Sequence, residues 1–213
     1  MIFRSFVVEW LLLALAVSAG CAPAPSTPGQ TERSEPFARS PAANAEVPEN
    51  DPNVTLEVMS YDETMNLVRA HRGRVVVLDV WSTSCPPCIR EFPNLVKLHQ
   101  EYPGEDLACI SLNIDYYGAA ARSPEDDRPN VMRLLQTFGA TFDNVLASED
   151  SDTIRKRMNL TAPPAVFVFD RAGRLAKRFD NDNIADESEA FTYEDVGQLV
   201  AKLVAARDVS ADQ

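Results

Sequence analysis

Two thiols separated by two prolines, Cys85-Pro86-Pro87-Cys88, are the residues of this sequence best suited to chemistry. They stand between a strand-like run ending near Val80 and a helix-periodic segment carrying Ile89, Phe92, Val96 and His99. A helix start offers free backbone N–H groups and the positive end of the helix dipole, so a thiol placed there is stabilised as thiolate. Cys85 holds that position. Two intervening residues in a helical turn bring the second sulfur within bonding distance, so the pair can close and reopen with little backbone movement. Cys88 is then the resolving thiol. Asp79 follows four apolar residues and precedes the turn to the dithiol; if buried, its carboxyl has a raised pKa.

Such a pair can also be a structural disulfide or half of a zinc site. A zinc site needs a second pair at suitable spacing, but Cys109 stands alone and His71 and His99 fall in helices elsewhere. Redox activity is the favoured reading, and it needs no metal and no cofactor beyond the dithiol. Cys109, inside the apolar run Leu107–Ile114, reads as a small buried hydrophobe. His71 reads as a cap at the end of its helix, His99 as an ordinary helix residue.

The elements that position the pair follow from the periodicity, which alternates between strand-like and helix-like segments from Val54 to about Asp208, an α/β pattern. Strands are predicted near Val54–Val58, Val75–Val80, Leu107–Ile114, Phe142–Leu146, Ala165–Phe169 and Leu175–Phe179, with fully apolar runs such as Val75-Val76-Val77-Leu78 at the sheet centre. Ser60 with Glu63 reads as a capping box that opens one helix. Ser123, Pro124 and Asp126 open another, which carries Val131, Leu134, Leu135 and Phe138 and stops at Gly139. Thr192 with Asp195 opens the last helix, through Val196, Leu199, Val200 and Leu203. The short turn Asp170–Arg174 joins two antiparallel strands, so the sheet is mixed. Asn181–Ala190, acidic and polar, reads as an exposed loop without an assigned role.

The segment Asp79-Val80-Trp81-Ser82-Thr83-Ser84-Cys85-Pro86-Pro87-Cys88 resembles the active-site segment of the thioredoxin superfamily. Trp81 matches that superfamily's tryptophan, Asp79 its buried acid and Pro93 the proline that kinks its active-site helix. Pro163-Pro164-Ala165-Val166-Phe167-Val168-Phe169-Asp170 is similar to the strand whose cis-proline faces the disulfide, with Pro164 at the cis position. An extra helix and strand between Tyr116 and Leu160, with an export signal, make the chain most similar to the TlpA/ResA group of extracytoplasmic thioredoxin-like proteins. The resemblance implies a thioredoxin-like fold whose central mixed β-sheet is flanked by helices, with an αβ insertion before the cis-proline strand. It implies thiol–disulfide exchange with exported protein partners, in the reducing direction, fed by a membrane-side thiol–disulfide electron donor. Cys85, Cys88 and Asp79 are then the catalytic set, and Trp81, Pro86, Pro87, Pro163 and Pro164 the apolar rim on which a partner chain lies. Pro163 departs from the pattern: the residue before the cis-proline usually lends its N–H to the bound peptide, and proline has none.

The ends of the chain bear on location. Arg4, the apolar run from Phe6 to Val17 and the small residues Ser18-Ala19-Gly20 follow the order of a secretory signal over residues 1–20. Cys21 directly after them resembles a bacterial lipoprotein signal, in which that cysteine is lipidated, although Ser18 stands where such signals usually carry Leu, Val or Ile. Membrane attachment is therefore expected only through Cys21, with the domain exported to the periplasmic side, where disulfides persist. Residues 21–52, which hold seven of the fifteen prolines, read as a semi-extended tether. The thioredoxin-like domain is expected over residues 53–208, with a disordered tail at 209–213. A net charge of −12 repels nucleic-acid phosphates, so nucleic-acid binding is not expected. Two other function classes share the fold. A peroxiredoxin-like peroxidase expects Thr three residues before its reactive Cys, where this chain has Ser82. A copper metallochaperone expects three residues between its cysteines and a distant histidine, neither of which is present.

Overall fold

Seven successive residues of strand β2 (Val75–Trp81) are buried, which requires cover on both faces and neighbours on both edges. The computed structural model, which describes residues 53–102 and 104–206, supplies both. β2 pairs in parallel with β3 (Leu107–Asn113), from Val75 opposite Leu107 to Trp81 opposite Asn113, and antiparallel with β5 (Ala165–Phe169). β4 (Asp143–Ala147) and β1 (Glu57–Met59) continue the parallel side, and β6 (Leu175–Asp180) pairs antiparallel with β5. The six-stranded order is β1-β4-β3-β2-β5-β6, a mixed sheet.

Side-chain alternation along β2 sorts the core into two layers. Val75, Val77 and Trp81 join the layer under helices α2 (Pro86–Glu101), α3 (Arg128–Phe138) and α5 (Tyr193–Ala205). Val76, Leu78 and Val80 join the opposite layer with Val68 of α1 (Tyr61–Ala70) and Ile154 and Met158 of α4 (Ser151–Met158). Asp79 shares the parity of Val77 and Trp81, so it projects beneath α2. The insertion between β3 and β5 is α3–β4–α4.

Local signals explain the helix ends. Ser60 and Glu63 form the expected capping box of α1, and His71 caps its C-terminus while its Nε2 meets Asp143 Oδ2 at 2.7 Å. The Thr192–Asp195 box opens α5, and Gly139 ends α3 in the left-handed conformation, φ +69°. The turn from β5 to β6 requires Gly173: its φ is +77°, and a Cβ there would lie 2.9 Å from Arg72 Nε.

Several expected boundaries move. The Ser123–Asp126 box closes a 3₁₀ turn (Pro124–Asp126), and α3 begins only at Arg128. A helix running on from Ser123 would carry Pro129 in its interior, where the missing N–H and the ring break the ladder, so the chain restarts with that proline in the first turn. Val54 and Leu56 are buried ahead of β1, which is confined to Glu57–Met59 and pairs there with Val145–Ala147. β4 starts one residue later than expected, after the buried Phe142. No helix among the described residues is long and apolar enough to cross a membrane. The expected signal at 1–20, Cys21, the tether at 21–52 and the tail at 209–213 lie outside the described residues.

Candidate active site

Strand β2 delivers the chain to a three-residue turn, Ser82–Ser84, and Cys85 is the N-cap of α2. Pro86 and Pro87 occupy the first two helical positions, where proline is tolerated because those N–H groups have no intrahelical acceptor. They also remove two donors. The first N–H of the helix is therefore that of Cys88, and it points at Cys85 Sγ, 3.3 Å away. The two cysteines form a disulfide, their Cα atoms 5.3 Å apart. Cys85 is 8% exposed and Cys88 3%, and of the two only Cys85 lines the neighbouring cavity.

An acid at the end of β3 holds the turn in place. Asp115 is buried, and its Oδ1 accepts from Ser82 Oγ at 2.6 Å and from the Thr83 backbone N–H at 2.9 Å. Ser82 Oγ in turn accepts from the Ser84 N–H at 3.2 Å, and the Ser84 hydroxyl lies 3.4 Å from Tyr117 Oη. Sequence reasoning passed over Asp115, although it ends an apolar run just as Asp79 does.

Asp79 is 4% exposed, and its carboxyl is pushed up to about 7 by burial, helped by the charge of Glu91 and opposed by a hydrogen bond from Tyr193. That bond runs from Tyr193 Oη to Asp79 Oδ2 at 2.6 Å. Nothing in the sequence links residues 114 positions apart, so Tyr193 was not legible there. Burial raises the Cys109 thiol well above its ordinary value, in keeping with an inert core residue. His99 lies half-buried with its ring edge-on to Phe142, and burial lowers its pKa. Among the described residues no group of three or more His, Cys, Asp or Glu side chains is placed to hold a metal ion.

The loop opposite Cys85 carries the cis Pro163–Pro164 bond at the expected position. Asp182 accepts from the Thr161 N–H with both oxygens at 3.1 Å, and Arg178 donates to Asp182 at 2.8 Å and to the Asn159 carbonyl at 2.7 Å. Asp182, in the acidic loop that had no assigned role, thus helps to anchor the proline loop.

A cavity of about 310 Å³ opens beside Cys85. Pro86, Pro87 and Pro163 line it, together with Ile114, Tyr117 and Arg155. Tyr117 is 66% exposed, the most exposed large side chain at this rim. Trp81 and Pro164, expected in the rim, are corrected: Trp81 is fully enclosed against Phe92, ring centroids 4.8 Å apart, and Pro164 is buried behind Pro163. Trp81 packs under α2 instead, because alternation along β2 turns it toward that helix.

The strand order, the dithiol at the start of α2 and the cis proline leading into β5 define a thioredoxin-like α/β fold. The Redoxin family model matches residues 44–193, and the chain belongs to that family. It is 26% identical over 107 residues to the thiol-disulfide oxidoreductase ResA of Geobacillus thermodenitrificans, covering 50% of this chain and 55% of that protein. It is 28% identical over 104 residues to the thiol:disulfide interchange protein DsbE homolog of Paracoccus denitrificans, covering 49% of each. The chain thus spans about half the length of these curated relatives. Among solved structures, a thiol-disulfide isomerase from Corynebacterium glutamicum aligns with a TM-score of 0.48 at 22% identity, over 64% of this chain and 84% of that one.

Proposed function

We propose that the protein is a thiol–disulfide oxidoreductase that exchanges disulfides with exported protein partners, in the reducing direction. The observation that carries the reading is the Cys85–Cys88 pair at a helix start, with Cys85 at the N-cap lining an apolar cavity. Reduced Cys85 attacks a partner disulfide as thiolate; one partner sulfur leaves and a mixed disulfide with Cys85 remains. Cys88 passes its proton to Asp79 and attacks Cys85 Sγ. The intramolecular disulfide forms, the partner leaves with both sulfurs reduced, and its two electrons have come from the dithiol. A membrane-side thiol–disulfide donor would return them. The names of the ResA and DsbE relatives support the chemistry, and residues 1–20 support export, with Cys21 as the point of lipid attachment. Pro86, Pro87 and Pro163 form the rim that receives the partner chain, which has no N–H of residue 163 to bind.

A Cys88→Ser variant tests the reading, since it cannot complete the second step. It should accumulate mixed disulfides through Cys85 with exported proteins, released by dithiothreitol and absent from a Cys85→Ser/Cys88→Ser control. Recovery of no adduct would count decisively against it. Direction is read by equilibrating the pair with dithiothreitol: a potential near or below about −250 mV marks a reductant, one near about −120 mV an oxidant.

A further inference from the structure

Tyr193 lies far from the dithiol in sequence, yet its hydroxyl is spent on one buried atom. It is the first helical residue of α5, 7% exposed, and its Oη donates to Asp79 Oδ2 at 2.6 Å inside the core. The carboxylate form of a buried acid needs such a donor, because an unpartnered charge removed from bulk solvent is costly. We propose that Tyr193 is a positioning residue for disulfide exchange: it holds the Asp79 carboxyl beneath α2 and sets the pH at which that group can accept the proton of Cys88. The inference rests on the dithiol mechanism proposed above.

Three groups bear on Asp79, each from a different element: Tyr193 from α5, Glu91 from α2 and Cys109 from β3. Glu91 repels a second negative charge, and Cys109 is held neutral by burial. Among these only Tyr193 favours the ionised acid. With a phenylalanine there the ring packing of α5 against the sheet is kept, and the donor is lost. The carboxylate then forms only at higher pH, by about one to two units, the shift that a hydrogen bond to a charged group produces.

The experiment uses the reduced protein and a symmetrical aromatic disulfide, 5,5′-dithiobis(2-nitrobenzoate), followed by stopped-flow absorbance. Cys85 attacks first and releases one thionitrobenzoate. Cys88 then attacks the mixed disulfide and releases the second, its proton going to Asp79. For Tyr193→Phe the pH midpoint of the second phase should rise by about one to two units, making that phase about tenfold slower at pH 7, while the first phase is unchanged. A second-phase midpoint equal to that of the unsubstituted protein would overturn the inference and leave the dithiol mechanism standing. Release of only one thionitrobenzoate by the unsubstituted protein would overturn both. Should Tyr193→Phe not fold, 3-fluorotyrosine at position 193 keeps the shape and strengthens the donor. It should lower the midpoint; an unchanged or raised midpoint would count against Tyr193.

Discussion

Replacing Pro87 by alanine should make Cys85 more acidic and the disulfide more oxidising. An N-cap side chain accepts from the N–H groups of the second and third helical positions. In this protein the second is Pro87, so Cys85 Sγ receives only the Cys88 N–H at 3.3 Å. Pro87→Ala restores the missing donor without adding a side chain that could fill the cavity. A hydrogen bond to a charged group is worth about 1.5–3 kcal/mol, and the lower end applies at the edge of a solvent-exposed rim. That corresponds to a Cys85 pKa lower by about one unit. Stabilising the reduced form by this amount raises the two-electron potential by about 30 mV. Thiolate absorbance titration reads the first quantity, and equilibration against dithiothreitol the second. Pro86→Ala is the control: its N–H enters the first helical position, does not point at the cap, and should shift both quantities less. A Pro87→Ala protein with unchanged acidity and potential, or equal shifts for the two variants, would refute the capping account of thiolate stabilisation.

Asp79 should tie stability to pH. Its folded-state value of about 7 lies above the ordinary 3.8, so the native state holds that proton more tightly than the unfolded chain. The resulting stability is fully present below pH 4 and is lost as pH rises through 7, about 4 kcal/mol in all. Asp79→Asn removes this dependence, so thermal unfolding should favour the variant by a few kcal/mol more at pH 8 than at pH 4; a pH-independent difference would refute it. Asp115→Ala should cost about 1–3 kcal/mol in chemical denaturation, because two donors of the 82–84 turn lose their acceptor. Asp115→Asn keeps an oxygen at that point and should recover most of the loss and the normal alkylation rate of reduced Cys85. Asp182→Ala should speed hydrogen exchange of the Thr161 amide by at least about tenfold and leave β2 and β3 amides unchanged; uniform acceleration would point to global destabilisation instead.

The strands and the dithiol were legible because their signals are local. Val75–Leu78 can only be a doubly covered strand, and Cys85 follows it at a helix start whatever the rest of the chain does. The boundaries that moved did so where two local signals competed: Ser123–Asp126 asks for a helix and Pro129 forbids its continuation. Trp81 shows a different failure. Its motif position suggested a contact surface, while strand alternation, equally readable, already turned it inward with Val75 and Val77. Where motif and parity disagree at a strand end, parity decides burial.

The sequence by itself determined which atoms can react: two thiols at helical spacing, and the acid Asp79 in the strand that leads to them. It could not determine their surroundings. The acidity of Asp79 is set by its burial first and then by the hydrogen bond from Tyr193, which reaches it only because α5 packs over the face of β2 that α2 also covers. Whether the turn before Cys85 stays in place depends on Asp115, brought there by parallel pairing of β3 with β2. The loop facing the sulfur is anchored by Asp182 from beyond β6. Reactive groups are encoded one residue at a time; their acidity and position are set by neighbours that share no local pattern with them, so only the tertiary structure decided those.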